Sequence, residues 1–162
     1  MKLLCTFALA VVAVVPALAQ THPDFSGTWV EDVALRKTTR VVAQGGGGSR
    51  ALPPLDTVVR QSATELVTER TFMGHTVRHA YRLDGRESVN RNGAVTETTK
   101  TRWEGARLIT EGSSFQVTSA GESSWEHKEV RWLEKSGAMV TEMTTKDEAG
   151  KVDVVTQTFR RK

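Results

Sequence analysis

From residue 55 onward the chain repeats one pattern. Segments of five to ten residues, rich in Val, Thr, Tyr, Phe and Trp, alternate with short Gly-bearing turns. Residues two apart in a strand share a face. Over 75–83, His75, Val77, His79, Tyr81 and Leu83 therefore oppose Thr76, Arg78, Ala80 and Arg82. Over 94–103, Val95, Glu97, Thr99, Thr101 and Trp103 share one side, and over 138–146 Met139, Thr141 and Met143 do the same. Met73-Gly74, Asp84-Gly85, Asn92-Gly93, Glu104-Gly105, Ser136-Gly137 and Ala149-Gly150 mark the turns. Asp-Gly and Asn-Gly tolerate the positive φ that a tight hairpin requires.

The expected strands are 26–36, 56–61, 65–72, 75–83, 86–90, 94–103, 106–111, 113–119, 123–133, 138–146 and 151–161, with only 31–43 able to hold a short helix. Turns of two to four residues force antiparallel neighbours, because a parallel return needs a crossover of about a dozen residues. So many short strands in an open sheet would leave two adhesive edges, and closure removes them. The expected fold is all-β, an antiparallel up-and-down barrel of eight to ten strands. A β-sandwich is the alternative, but it needs several long connections between sheets. One is visible, the glycine- and proline-bearing stretch 44–54, read as a flexible loop because four successive glycines resist regular structure. No Lys-Ser/Thr follows them, as a phosphate cradle would require.

The first nineteen residues follow a different rule. Lys2 precedes an apolar run that Pro16 breaks, and Ala17-Leu18-Ala19 has the small–x–small form of a cleavage site. This is the layout of a secretory signal peptide, giving domains 1–19 (cleaved leader) and 20–162 (one barrel domain) and a periplasmic or extracellular destination. The run is too short to span a bilayer, so no transmembrane segment is expected after cleavage. Cys5, the one cysteine, lies in the leader. The remaining chain then has neither a disulfide framework nor a thiol nucleophile. About 140 residues can bury a sufficient core without staples.

Composition adds limits. Hydrophobic residues make up 38% and charged ones 25%, a soluble globular balance. A formal net charge of +3 is too small to indicate a nucleic-acid partner.

Several inward candidates are polar: His79, Tyr81, Thr99, Thr101 and Thr141. A filled apolar core needs a partner for each, whereas a partly hydrated lumen accommodates them and can accept one small ligand. The lining residues of such a pocket would be Val77, His79, Tyr81, Trp103, Trp125, Met139 and Met143. Aromatic and methionine groups supply adaptable apolar area, and Tyr81 and His79 would orient a polar end. The face of Trp125 is open, since Val130 and Trp132 lie on the other side of its strand. Threonine as a solvent-facing strand former is the plainer reading of the same pattern.

Pro23-Asp24-Phe25-Ser26-Gly27-Thr28-Trp29 resembles the opening motif of the lipocalins and related calycins, Phe-x-Gly-x-Trp on the first strand. Tyr81-Arg82-Leu83-Asp84-Gly85, Trp103-Glu104-Gly105-Ala106-Arg107-Leu108 and the basic end Phe159-Arg160-Arg161-Lys162 are similar to segments of small secreted bacterial lipocalin-like proteins. The second lipocalin signature, Thr-Asp-Tyr, is missing, so the resemblance implies a calycin-type barrel more broadly. It also implies structural closure by Gly27, Trp29 and Arg160, with Arg161 as the other choice. The tryptophan plugs one end and the arginine covers its ring.

Other chemistries find less support. His75 and His79 lie about 13 Å apart on a strand, too far to share an ion. His79 and His127 could meet across a barrel, but no metal site and no cofactor is expected. Glu69, Glu97, His79, Glu129 and Glu142 are available for acid–base work, yet no catalytic spacing appears and no catalytic residue is assigned. A small hydrolase or isomerase using a lumen His or Glu remains one alternative. Another is an envelope interaction module with a filled barrel, using Arg78, Arg82, Arg86 and Arg91, although Glu87 and Glu97 should neutralise that face. The favoured function is binding or carriage of a small hydrophobic or amphipathic molecule. Its identity and the oligomeric state are not legible.

Overall fold

The computed structural model describes residues 22–40, 56–72, 74–119 and 121–162. The expected leader 1–19 and loop 44–54 lie outside the described residues. Eleven strands account for nearly everything else. They are β1 (Gly27–Glu31), β2 (Lys37–Arg40), β3 (Asp56–Gln61), β4 (Glu65–Phe72), β5 (His75–Arg82), β6 (Glu87–Asn92), β7 (Val95–Glu104), β8 (Arg107–Thr118), β9 (Gly121–Leu133), β10 (Met139–Asp147) and β11 (Val152–Arg161).

All ladders are antiparallel, and the strands follow one another around a single sheet in the order β5-β4-β3-β1-β11-β10-β9-β8-β7-β6, with β2 beside β11. First and last strands of that order are consecutive in the chain, so the sheet curls round until β5 meets β6. The result is a nearly closed up-and-down barrel, not a sandwich.

Turn chemistry holds the meander together. The six turn glycines, Gly74, Gly85, Gly93, Gly105, Gly137 and Gly150, all take positive φ, between 59° and 81°. Asn92 pairs with Val95 and Glu104 with Arg107, so Gly93-Ala94 and Gly105-Ala106 are two-residue hairpin loops. Asp84-Gly85 behaves differently. Its strands, β5 and β6, share no backbone ladder, and the Gly85 N–H donates instead to the Thr101 carbonyl (3.0 Å).

Two strand boundaries depart from the pattern-based expectation. The 26–36 segment holds only β1 and one 3-10 turn (Val33–Leu35), and β2 follows it. The segments 106–111 and 113–119 are one strand, β8, because Gly112 does not turn the chain. It sits inside the β7–β8 ladder opposite Thr99, where a Cβ would lie 2.0 Å from the Thr98 carbonyl oxygen. Glycine there permits close approach of two backbones.

Phe25, Trp29, Val59, Leu66, Tyr81, Leu83, Leu108, Met139 and Phe159 form one buried apolar cluster. They come from seven strands or their ends and close one end of the barrel as a floor. Trp29 and Phe25 are fully buried, and the indole Nε1 donates to the Phe25 carbonyl at 2.9 Å. A large apolar side chain buried this completely contributes about 1.5–3 kcal/mol, and the satisfied indole N–H avoids the penalty of an unpaired buried donor. Among the described residues no helix is long and apolar enough to cross a membrane.

Candidate functional site

Register decides what faces inward. Following the paired residues around the sheet puts Trp29, Val59, Thr68, His79, Asn90, Glu97, Thr110, Glu129, Thr141 and Phe159 on one side. That side is the interior, since Trp29 and Phe159 belong to the buried cluster. All seven pocket candidates have the inward parity, including Trp125, whose strand neighbours Val130 and Trp132 face out.

They do not occupy one place. Tyr81 and Met139 are part of the floor, and Trp103 packs against it from the rim, stacked on Phe25 (5.8 Å) and on His22 (4.3 Å). Beneath the floor, Arg161 lies over the Trp29 ring at 4.8 Å. The expectation for Arg160 is thereby corrected. Trp29 pairs with Arg161 across β1 and β11, so only Arg161 shares its face, while Arg160 points outward to Asp32 at 3.0 Å. Gly27 serves the same contact, because a Cβ on it would lie 3.5 Å from the Arg161 Nε.

Above the floor lies a layer of ionised groups that the composition does not reveal. Arg70 on β4 donates from Nη2 to Glu129 Oε2 (3.0 Å), and Arg131 donates from Nε and Nη2 to Glu129 Oε1 (3.1 and 2.5 Å). Arg131 is 2% exposed and rests over the Phe25 ring at 5.9 Å. Burial would raise the Glu129 carboxyl, but Arg131 and Arg70 outweigh it and hold the group at about 2.

A second cluster adjoins the first. Glu97 on β7 receives His127 at 3.0 Å and His79 at 3.6 Å, one on each carboxylate oxygen, with the Asn90 amide at 3.4 Å. Burial acts to raise the Glu97 carboxyl, and His127, His79 and Asn90 bring it below the ordinary value. Burial also lowers the His79 pKa, the pull of Glu97 notwithstanding. The Tyr81 phenol is pushed up by burial and by Glu97 and Glu129, so it stays protonated. The two histidines thus meet through a carboxylate. Among the described residues no group of three or more His, Cys, Asp or Glu could hold a metal ion.

Farther from the floor the inward face opens. Val77 retains 36% exposure, and Trp125 and Met143 are only partly buried. The Arg70 side chain, although inward, keeps 24% accessibility, so space for water-sized molecules reaches it. An open groove of about 540 Å³ at that end of the barrel touches Trp125 but is lined mainly by outward-facing residues, among them Ser113, Phe115, Ser124, Glu126 and Lys146. A groove of about 440 Å³ lies instead on the outer face of the sheet over Gly112, between Glu87, Thr98, Lys100, Glu111, Ser113 and Glu126.

The remaining acid–base candidates separate by parity. Glu97, Glu129 and His79 are inside. Glu69 and Glu142 face outward, Glu69 pairing with Arg60 at 2.7 Å. Three of the exposed arginines, Arg78, Arg82 and Arg86, pair with other partners than expected. Arg82 and Arg86 share Asp84 (3.1 and 2.6 Å) and Arg78 faces Glu69 (4.0 Å), while Glu87 pairs with Lys100 and Glu97 lies within. Arg70, Arg131 and Asn90 escape a sequence reading that assigns charged strand residues to a solvated face. The signal is present all the same: Leu66-x-Thr68-x-Arg70 and His127-x-Glu129-x-Arg131-x-Leu133 carry the same alternation as β5 and β7.

The fold and this interior define a lipocalin-type barrel with an apolar floor, a buried ionic layer and a more accessible upper wall. No family model matches the chain. No curated protein matches it by sequence. Solved structures do resemble it. One is named REP1-NXSQ fatty acid transporter, with 13% identity over 85% of this chain and 95% of that one, at a TM-score of 0.57. Lipid binding protein 8 of Caenorhabditis elegans gives 11% identity, 85% and 95% coverage and the same TM-score. Human cRBP IV gives 18% identity, 86% and 99% coverage and a TM-score of 0.54. At such identities the likeness establishes the fold.

Proposed function

We propose that the protein binds or carries a small amphipathic molecule inside its barrel. The observation that carries this reading is the division of the lumen wall. Val77, Trp125 and Met143 offer accessible apolar surface on the inward face, and Arg70, Glu129, Arg131, His79 and Glu97 put polar groups at its base. An apolar pocket with a few convergent polar groups is the ordinary form of a small-molecule site. Two structural neighbours bear the names fatty acid transporter and lipid binding protein, which supports the same direction. The leader pattern at 1–19 supports a location in the periplasm or medium.

Two measurements test the proposal. Solvent extracts of the purified protein should contain a lipid-like compound by mass spectrometry. Saturating amphiphile should also raise the thermal midpoint, since a ligand at about 100 times its Kd stabilises by about 2.7 kcal/mol. An empty extract together with an unmoved midpoint across a panel of long-chain acids, alcohols and esters would remove the reading.

A further inference from the structure

We infer that the polar head of the bound molecule is uncharged and accepts hydrogen bonds, as an alcohol, ester or ketone does, and that a free carboxylate is disfavoured. This rests on the carrier reading and names its ligand class. The ionic layer already contains its own anions. Glu129 engages both Arg70 and Arg131, using each of its oxygens. Glu97 lies against His127 and His79. Two guanidiniums face two ionised carboxylates, and a neutral His79 adds nothing to the balance. Another inward carboxylate, Glu31, is likewise held, by Arg36 and by the Gln157 amide at 2.9 Å.

A carboxylate head entering this layer would lose its hydration and meet two arginines whose charges are already offset by Glu129 and Glu97 together. Desolvation without a free counter-charge is unfavourable. What the layer still offers is donors. Arg70 Nε and Arg131 Nη1 are buried and have no hydrogen-bond partner within the protein. Guanidinium N–H groups donate only, so their complement is an acceptor. A neutral oxygen supplies that without adding charge. Buried orphan donors beside an accessible apolar wall are what a site for such a head would contain.

Hexadecanol, methyl hexadecanoate and hexadecanoic acid share a chain and differ in the head. Calorimetric titration of the delipidated protein at pH 7.5 should give about tenfold or greater preference for the neutral compounds over the acid. Glu97→Gln removes one internal anion while leaving Glu129 between its arginines. It should move the acid-to-alcohol ratio about tenfold toward the acid. Equal or tighter binding of the acid by the unaltered protein overturns the inference and leaves the carrier reading standing. Failure of all three to bind, with an empty solvent extract, overturns both. The comparison on the unaltered protein decides the matter even if the variant does not fold.

Discussion

The side chain of Asn90 takes the place of a β-strand for Ala80. Its Oδ1 accepts from the Ala80 N–H at 2.8 Å, and its Nδ2 donates to the Ala80 carbonyl at 3.2 Å. Nearby, Ser88 Oγ accepts from the Arg82 N–H at 2.8 Å. β5 and β6 are joined at these points by side chains where every other neighbouring pair around the sheet has a backbone ladder. The barrel closes, therefore, through a seam that depends on two residue identities. A backbone ladder would form with almost any sequence.

Asn90→Ala should open that seam. It leaves the half-buried amide and carbonyl of Ala80 without their side-chain partners, for a loss of about 1 kcal/mol. Urea denaturation gives the loss, and hydrogen exchange locates it. Amides over 78–82 and 88–92 should lose protection while β8 and β9 keep theirs. Unchanged exchange at Ala80 would show that the seam is held by something else.

The two terminal arginines should behave unequally. Arg161→Ala removes the solvent-facing cation over Trp29 and should cost about 0.5–1 kcal/mol. Arg160→Ala breaks only an exposed pair with Asp32 and should cost less than about 1 kcal/mol. Thermal melts of the two variants decide the order, and a larger loss at Arg160 contradicts the assignment.

Gly112→Ala should be among the most damaging single substitutions. Its Cβ would meet the Thr98 carbonyl oxygen at 2.0 Å, and backbone on both sides must shift. Overpacking of this kind costs about 1–3 kcal/mol or more. Gly93→Ala, with open space around it and only positive φ to oppose it, should cost less. Denaturation midpoints for the pair test the contrast, and undiminished stability of the Gly112→Ala variant would refute it.

Acid should weaken the fold in two stages. His79 has a lowered pKa in the folded state, so the unfolded chain takes up a proton first, and stability falls as pH drops below its ordinary value of 6.5. Glu129 is held at about 2 against an ordinary 4.5, so its stabilisation is complete above 4.5 and disappears as pH falls toward 2. Urea midpoints measured from pH 8 downward should decline through both windows. Glu129→Gln should flatten the lower one. A midpoint that rises on acidification would contradict both assignments.

The period-two pattern is enough to predict the barrel, its turn glycines and the inward sets on β5, β7 and β10, because strand alternation is a property of a few adjacent residues. Gly27 and Trp29 are likewise legible as a motif. The choice between Arg160 and Arg161 is not, since adjacent residues on a strand face opposite ways and the pairing with Trp29 selects one. Gly112 reads as a turn because glycine in sequence does not distinguish a bend from a close backbone approach. The ionic layer is the least legible part. Arg70 and Glu129 are 59 positions apart, and β4 and β9 become neighbours across the lumen only after the sheet curls. Local spacing says which side a charge takes, while only closure of the ring says which opposite charge it will meet.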